Sequence, residues 1–322
     1  MTYSRKLQIT VPCSSSNIGP GFDVLGVTLS LYLTLDISIF EPASDKKNYN
    51  DEVVLAYSGE GKDGVPLSVE KNLITKTALY VLACNNISGF TAPMTINVNN
   101  PIPMGRGLGS SGAAVVAGVM LGNVSGHLGL TKDRMLDYCL MIEHHPDNVT
   151  AALMGGFVAS YLRGLNTDDA GELKDEKNDA INKFSTQINY AELNLTLVYF
   201  QLIDHCKVFN LQRLAVLIMA LSQSPPDADL ICQAMQDKVH QPYRKQLIPG
   251  LSEIITNVKP TTYPGLLGIC LSGAGPTILA LATHNFDSIS KAVIDMFAKK
   301  NIETVVKVLD VVEGGAQIVE TY

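Results

Sequence analysis

The sequence predicts a protein of the α+β class with about two domains. Its 322 residues are enough for about two hydrophobic cores. Apolar residues occupy every second position from 29 to 39, which is typical of a long strand with one buried face. The carboxyl-terminal pattern of β, turn, β, α, β, β favours a mixed sheet with helices on one face.

Taken in order, the periodicity predicts the following elements. Strands are expected at 7–11, ended by Pro12, and at 29–39, 53–57, 94–99 and 157–162, with helices at 72–84, from 110 onward and at 131–144. Strands are then expected at 193–199, 266–271, 278–283, 304–309 and 316–320, with helices at 209–222, 227–239 and 287–299 and a polar loop at 240–246. The charged stretch 166–183 is interpreted as a surface insertion or a partly disordered loop, and as the boundary between two domains.

The stretch 99–114 is the clearest candidate for chemistry. Three glycines at alternate positions follow a strand, and two serines stand where a strongly apolar helix begins. Such a helix presents free N–H groups and the positive end of its dipole, which favours an anion, most plausibly phosphate. The cradle residues are Pro103, Gly105, Arg106, Gly107, Leu108, Gly109, Ser110, Ser111 and Gly112.

Three alternatives apply to this stretch. A dinucleotide fold needs a strand that leads directly into the glycines and an acid about 20 residues on, which this chain lacks. A Walker loop needs Gly-Lys-Ser/Thr, which does not occur. A glycine-rich turn before a core helix, with no ligand, stays possible.

Two further loops carry polar groups. Asn17 and Asp23 flank a Gly-Pro-Gly turn, either as an Asx turn with a helix cap or as groups that line a pocket. Glu143 precedes two histidines, Pro146 and Asp147. Adjacent histidines on a helix do not face the same way, so zinc is disfavoured, whereas a carboxylate near phosphates suits Mg²⁺. The alternative is that Glu143 lies at a solvated helix end and binds no metal ion.

A second glycine-rich turn contains Gly273 and Gly275, which form either a simple hairpin or a wall of the phosphate site. Arg244 is either a surface charge or a fork for a carboxylate.

The cradle resembles the nucleotide loop of the GHMP kinase superfamily. The segments 12–26, 143–149, 241–250 and 273–277 are similar to motifs of its homoserine kinase family, with Ser16 in place of the usual alanine and His144 in place of the usual glycine. The resemblance implies a two-domain fold: a mixed α/β ATP-binding domain at 1–165, an insertion at 166–190 and a ferredoxin-like domain at 191–322.

The resemblance also implies ligands and roles. ATP would bind the cradle, with Asn72 near adenine and Ser111 and Glu143 on Mg²⁺. Asp23 with Asn17 would hold the ammonium of L-homoserine, and Arg244 with His145 its carboxylate. Asn148 and Asp147 would hold its δ-hydroxyl, so Asn148, Asp147 and Glu143 are the catalytic candidates.

The chain departs from the family in one place. Between Phe200 and Phe209 the family carries a segment whose arginine binds the substrate carboxylate, and only residues 201–208 stand there. Either the protein lacks that arginine, or the residues that carry it are missing from this sequence; we favour the second.

Composition limits the partners and the compartment. A net charge of −7 without a basic run argues against nucleic acid. Six scattered cysteines without a C-x-x-C pair indicate reduced thiols, and the apolar run at 113–121 is too short to span a bilayer. We therefore expect a cytoplasmic enzyme with no membrane contact, and a homodimer. A different kinase of the same superfamily, a dinucleotide-binding oxidoreductase and a non-catalytic sensor are the rivals.

Overall fold

The computed structural model describes residues 3–42, 46–161 and 205–320. By their contacts, the residues divide into two compact units. The first unit lies within 1–14, 26–190 and 311–322, and the second within 15–25 and 191–310. We expected each domain to be one continuous stretch of the chain. Instead, the first unit also includes residues 311–322, and the second unit also includes residues 15–25. The expected insertion at 166–190 and the expected strand at 193–199 lie outside the described residues.

A six-stranded mixed sheet forms the base of the first unit. Its strands are β1 Tyr3–Ser16, β2 Leu25–Phe40, β3 Val53–Gly59, β4 Met94–Asn100, β5 Phe157–Ala159 and β8 Gln317–Glu320. They run in the order β3-β4-β2-β1-β8, and β5 pairs with β2. Strands β3 and β4 are parallel, while β2–β4 and β1–β8 are antiparallel. The pairing of β8 with β1 explains why the end of the chain belongs to this unit.

The helices of this unit are α1 Leu73–Cys84, α2 Ser110–Ser125, α3 Lys132–Glu143 and α4 Pro146–Met154. Helix α2 is buried on nearly all sides, as its apolar sequence predicts. Gly118 and Gly122 lie one turn apart where α2 meets α1. A Cβ at Gly118 would lie 2.5 Å from the Ile74 carbonyl oxygen, and one at Gly122 2.9 Å from that of Ala78. These glycines therefore allow the two helices to approach closely.

The second unit contains a two-stranded antiparallel sheet of β6 Leu266–Leu271 and β7 Ile278–Ala282. Its helices are α5 His205–Leu221, α6 Ala228–Ala234, α7 Gln241–Arg244, α8 Leu251–Asn257 and α9 Phe286–Ala298. A core of buried apolar side chains joins α8, β6 and α9; its members are Ile254, Val258, Leu266, Ile269, Ile289 and Phe297.

Four local expectations were wrong. Strand β1 continues through Pro12. On the side of β8, only Leu7 to Thr10 pair with the neighbouring strand, so the missing N–H of Pro12 interrupts no hydrogen bond there. Residues 304–309 form no strand, although they are rich in β-branched residues. The polar loop at 240–246 contains α7 and a 3₁₀ turn, Lys245–Leu247. The helix expected at 227–239 ends at Ala234.

Among the described helices, none combines the length and the apolar content needed to cross a bilayer.

Candidate functional site

The candidate residues divide between the two units. The glycine cradle, Asn72 and the corner around Glu143 belong to the first unit, while Asn17, Asp23, Arg244 and the second glycine turn belong to the second. Each set is described within its own unit.

The cradle connects β4 to α2 through three glycines in the left-handed region. Gly105, Gly107 and Gly109 have φ values of +63°, +80° and +65°. Only glycine adopts such dihedrals without steric cost, which explains the alternate spacing in the sequence. A Cβ at Gly105 would meet nothing within 4 Å, whereas one at Gly109 would lie 2.2 Å from Ser14 Oγ. Gly109 is therefore required both by its dihedrals and by its neighbours.

The amino terminus of α2 opens on this loop. Its N-cap is Gly109, which has no side chain to cap the helix, and no acidic residue lies in its first turn. The first N–H groups of a helix have no intrahelical acceptor, and they carry the positive end of the dipole. Ser110 is half-buried and Ser111 is exposed at this end. These features support the anion site expected at the helix start, which stays a prediction.

Asn148 lies beside the start of α2. Ser14 Oγ donates a hydrogen bond of 2.9 Å to Asn148 Oδ1, and the Ser14 N–H donates one of 3.3 Å to the Leu108 carbonyl. A Cβ at Gly109 would lie 3.0 Å from Asn148 Oδ1, and one at Gly112 would lie 3.2 Å from Asn148 Cβ. The structure thus brings Asn148 to the cradle, although nearly 40 residues separate them in the chain.

Asp147 supports Asn148 from the preceding position. Its side chain is 2% exposed, and its Oδ1 accepts a 2.8 Å hydrogen bond from the Asn148 N–H. Asp147 lies in the first turn of α4, where the helix dipole stabilises a carboxylate. Asp147 is therefore a buried group that orients its neighbour.

The corner between α3 and α4 presents the remaining candidates of this unit. Glu143 ends α3 and is half-buried, while His145 is the exposed N-cap of α4, with Pro146 in the first turn. His144 adopts φ +64°, a left-handed conformation that glycine takes more easily. This explains why the resembling family usually carries glycine there.

Asn72 serves the fold directly. Its Oδ1 accepts a 3.0 Å hydrogen bond from the Ile74 N–H, and its Nδ2 donates one of 2.9 Å to the Pro66 carbonyl. The residue is 1% exposed. It is therefore the N-cap of α1, and the expected contact with adenine stays a prediction.

In the second unit, Asn17 shapes the loop that carries Asp23. Asn17 Oδ1 accepts a 2.8 Å hydrogen bond from the Asp23 N–H, and both residues have positive φ values, +58° and +55°. Asn17 is 7% exposed and Asp23 is half-buried. The amide of Asn17 therefore holds the turn that carries Asp23 in place.

Arg244 lies against the second glycine turn. Its Nη1 donates a 3.0 Å hydrogen bond to the Gly273 carbonyl, and its guanidinium lies 5.7 Å from the centre of the Phe22 ring. The Gly273 N–H in turn donates to the Ser16 carbonyl at 2.8 Å. The two expected substrate loops, around Asp23 and around Arg244, are therefore neighbours within this unit.

Sequence reasoning missed several residues that build these sites. Ser14 was visible only as part of a serine run, and its bond to Asn148 spans 134 positions. Gln241 joins two loops, since its Nε2 donates to the Gly19 carbonyl and its Oε1 accepts from the Leu271 N–H, both at 3.2 Å. Asp237 and His240 stand in the tight turn before α7, and only the polarity of that turn indicated them.

The described residues contain no group of three or more His, Cys, Asp or Glu side chains that could hold a metal ion. Ser111 and Glu143 offer oxygen donors, which Mg²⁺ prefers, and Mg²⁺ commonly takes its other ligands from water and substrate phosphates. The donor set fits this ion without a dedicated cluster.

Comparison with known proteins agrees with this arrangement. The model of the GHMP kinases N terminal domain matches residues 72–156, which include the cradle and the Glu143 corner. The homoserine kinase of Saccharomyces cerevisiae is 51% identical, over 98% of this chain and 99% of its own length. That alignment spans 355 residues, so the yeast protein contains residues with no counterpart among the 322 here.

Other relatives extend the same pattern. The homoserine kinase of Schizosaccharomyces pombe is 46% identical, over 98% of this chain and 99% of its own. The crystal structure of homoserine kinase from Cytophaga hutchinsonii superposes with a TM-score of 0.72 at 24% identity, covering 99% of both chains, and shows the shared fold. With the two-domain α+β fold and the cradle in place, the chain belongs to the homoserine kinase family of the GHMP kinases.

Proposed function

We propose that this protein transfers the γ-phosphoryl group of ATP to the hydroxyl of L-homoserine and so forms O-phospho-L-homoserine. The observation that carries the proposal is the placement of Asn148 beside the open start of α2. A group able to orient a hydroxyl thus lies next to a group of donors able to hold phosphates. The near full-length identity to homoserine kinases supports the choice of substrate.

The first unit would bind the nucleotide. The cradle from Pro103 to Gly112 would surround the phosphates with backbone N–H groups, and Arg106 is exposed beside it. Ser111 and Glu143 would hold Mg²⁺, which, when bound, neutralises charge that develops on the phosphates.

The second unit would recognise the amino acid. The Asp23 carboxylate, supported by Asn17, would pair with the ammonium, and the Arg244 guanidinium would bind the carboxylate with His145 as its helper. Charge-assisted bonds of this kind are roughly twice as strong as neutral ones. A substrate without the ammonium loses the charge-assisted contact with Asp23. Loss of one partner costs about 2–5 kcal/mol in a buried pair and less at the half-buried Asp23.

Phosphoryl transfer depends mainly on alignment and on stabilisation of spread charge. Asn148 and Asp147 would orient the δ-hydroxyl in line with the γ-phosphate. The Asp147 carboxylate already accepts the Asn148 N–H, so it fixes the backbone that presents this amide. We assign no general base.

ADP release tests the proposal. Purified protein is assayed with ATP, Mg²⁺ and, in separate reactions, L-homoserine, mevalonate, galactose and shikimate. We expect turnover with L-homoserine to exceed the others by at least tenfold in kcat/KM, because only homoserine pairs with both Asp23 and Arg244. Preference for mevalonate or a sugar would assign a different kinase of the superfamily, and ligand binding without ADP would assign a sensor.

The assembly and the compartment are part of the proposal. We expect a homodimer that functions in the cytoplasm, consistent with scattered cysteines that form no pair among the described residues. Light scattering coupled to gel filtration would give twice the 34.7 kDa chain mass, and a monomer would contradict the dimer.

A further inference from the structure

Asp237 is a buried carboxylate to which the proposed function gives no role. Its side chain is 0% exposed. Its Oδ1 accepts hydrogen bonds from Asn210 Nδ2 at 2.6 Å and from the Val239 N–H at 2.7 Å, and its Oδ2 accepts the Gln241 N–H at 2.7 Å. Asn210 Oδ1 also accepts the Lys238 N–H at 2.9 Å. One carboxylate thus organises the whole turn that leads into α7.

The charge of Asp237 is retained despite this burial. Burial by itself raises the pKa of the carboxyl, but the donors from His240, Asn210, Gln241 and Val239 outweigh it, so the pKa lies well below its ordinary value. An ionised carboxylate only accepts hydrogen bonds, which matches the donors that surround it.

His240 extends this turn toward the Asp23 loop. Its Nδ1 lies 2.6 Å from Asp237 Oδ2, and its side chain is 9% exposed. Its ring lies 5.2 Å from the ring of Phe22 with the planes tilted by 47°. Phe22 immediately precedes Asp23 in the chain.

Arg244 reaches the same aromatic ring from the other end of α7. It follows His240 by four residues, and its N–H donates to the His240 carbonyl at 3.3 Å. Residues four apart lie on one face of a helix, so His240 and Arg244 both face Phe22. Phe22 is 42% exposed, and a cation over an aromatic face is favourable. Phe22 is therefore one contact between the Asp23 loop and the Arg244 helix, beside the hydrogen bond from Gln241 to the Gly19 carbonyl.

We propose that Asp237, His240 and Phe22 are positioning residues that set the spacing between Asp23 and Arg244, and so select substrates that carry an ammonium and a carboxylate on one carbon. The proposal rests on the roles given above to Asp23 and Arg244. The two charges of an α-amino acid lie at a fixed separation, so the two protein groups must keep a matching one. The buried Asp237 carboxylate fixes His240, and His240 and Arg244 together fix Phe22.

The experiment compares two substrates on the wild type and on Asp237→Asn. L-homoserine carries both charges, while 3-amino-1-propanol has the same hydroxyl and ammonium but no carboxylate. For Asp237→Asn we expect kcat/KM for L-homoserine to fall about tenfold through KM, because a displaced arginine no longer meets the carboxylate. The KM for ATP and kcat/KM for 3-amino-1-propanol should stay within twofold of the wild type.

Asp227→Asn is the matched control. Asp227 lies in the same unit and also accepts a backbone N–H, that of Leu230 at 3.0 Å, but it caps α6 rather than the turn before α7. The same loss of charge there should leave every kinetic constant unchanged. An equal loss with both substrates in Asp237→Asn would show a general structural role and overturn the proposal.

Phe22 variants keep the proposal testable if Asp237→Asn fails to fold. Phe22→Leu removes the ring from an exposed position, and Phe22→Tyr retains it. We expect the leucine variant to raise the homoserine KM about tenfold and the tyrosine variant to restore it. Equal KM values in both variants would refute the role of the ring, whereas a wild type inactive on L-homoserine would refute the proposed function itself and the positioning role with it.

Discussion

Replacement of Gly109 by alanine tests whether the cradle is shaped for its ligand. Gly109 has φ +65°, where an alanine costs about 1–2 kcal/mol. The new Cβ would lie 2.2 Å from Ser14 Oγ, so that hydroxyl must move and release Asn148 Oδ1. Loss of that hydrogen bond adds roughly 0.5–1.5 kcal/mol. The total destabilisation is therefore about 1.5–3.5 kcal/mol.

Two other glycines provide matched controls for Gly109→Ala. Gly129 has φ +63° and Gly105 has φ +63°, and a Cβ at either would meet nothing within 4 Å. Both alanine variants lose only the conformational term, about 1–2 kcal/mol. Urea unfolding should therefore rank Gly109→Ala as the least stable of the three.

The kinetics of the same three variants separate the fold from the site. We expect Gly109→Ala to raise the KM for ATP and lower kcat, each by about tenfold. The methyl group reduces the space at the amino terminus of α2, and it displaces Asn148. Gly129→Ala should keep wild-type kinetics. If Gly109→Ala matched Gly129→Ala in both unfolding and ATP kinetics, the assignment of a close-fitting phosphate cradle would be refuted.

Four further predictions concern single side chains. Asn148→Ala should lower kcat about 100-fold with a small change in KM. Ser14→Ala should lower kcat far less. An unchanged kcat for Asn148→Ala would contradict the orienting role of this residue. Glu143→Ala should lower kcat in a way that excess Mg²⁺ only partly restores, as a titration of the metal would show. His144→Gly should raise the free energy of unfolding by about 1 kcal/mol, since it relieves a left-handed histidine. The stability cost of Asp237→Asn should shrink as the pH falls below 3.8, the ordinary pKa of the carboxyl. The lowered pKa of Asp237 contributes stability above that pH, and this stability is lost as the pH falls. An equal cost at pH 3 and pH 5 in urea unfolding would contradict this prediction.

Much of the first unit could be predicted from periodicity and glycine spacing. The alternation from Leu29 to Ile39 predicted β2, and the structure extends it to Leu25–Phe40. The apolar stretch after Ser111 predicted a buried helix, and α2 confirms it. These signals are local, because the period of a strand or helix is written in neighbouring residues.

Other features could not be predicted because they depend on contacts between distant residues. Pro12 looked like the end of a strand, but whether a proline interrupts a ladder depends on the register of the neighbouring strand. The valine-rich stretch 304–309 was expected to be a strand that did not form, since β-branched composition alone supplies no partner strand.

By itself, the sequence determined the local geometry of the cradle and the family membership that its motifs suggest, since glycine dihedrals and the start of a helix are properties of a short stretch. Only the tertiary structure decided that Ser14 holds Asn148 beside Gly109, and that Asp237, His240 and Phe22 join the loops of Asp23 and Arg244. The physical reason is that side-chain hydrogen bonds and ring contacts require atoms within a few ångströms of each other. Chain folding alone sets those separations across more than 100 residues.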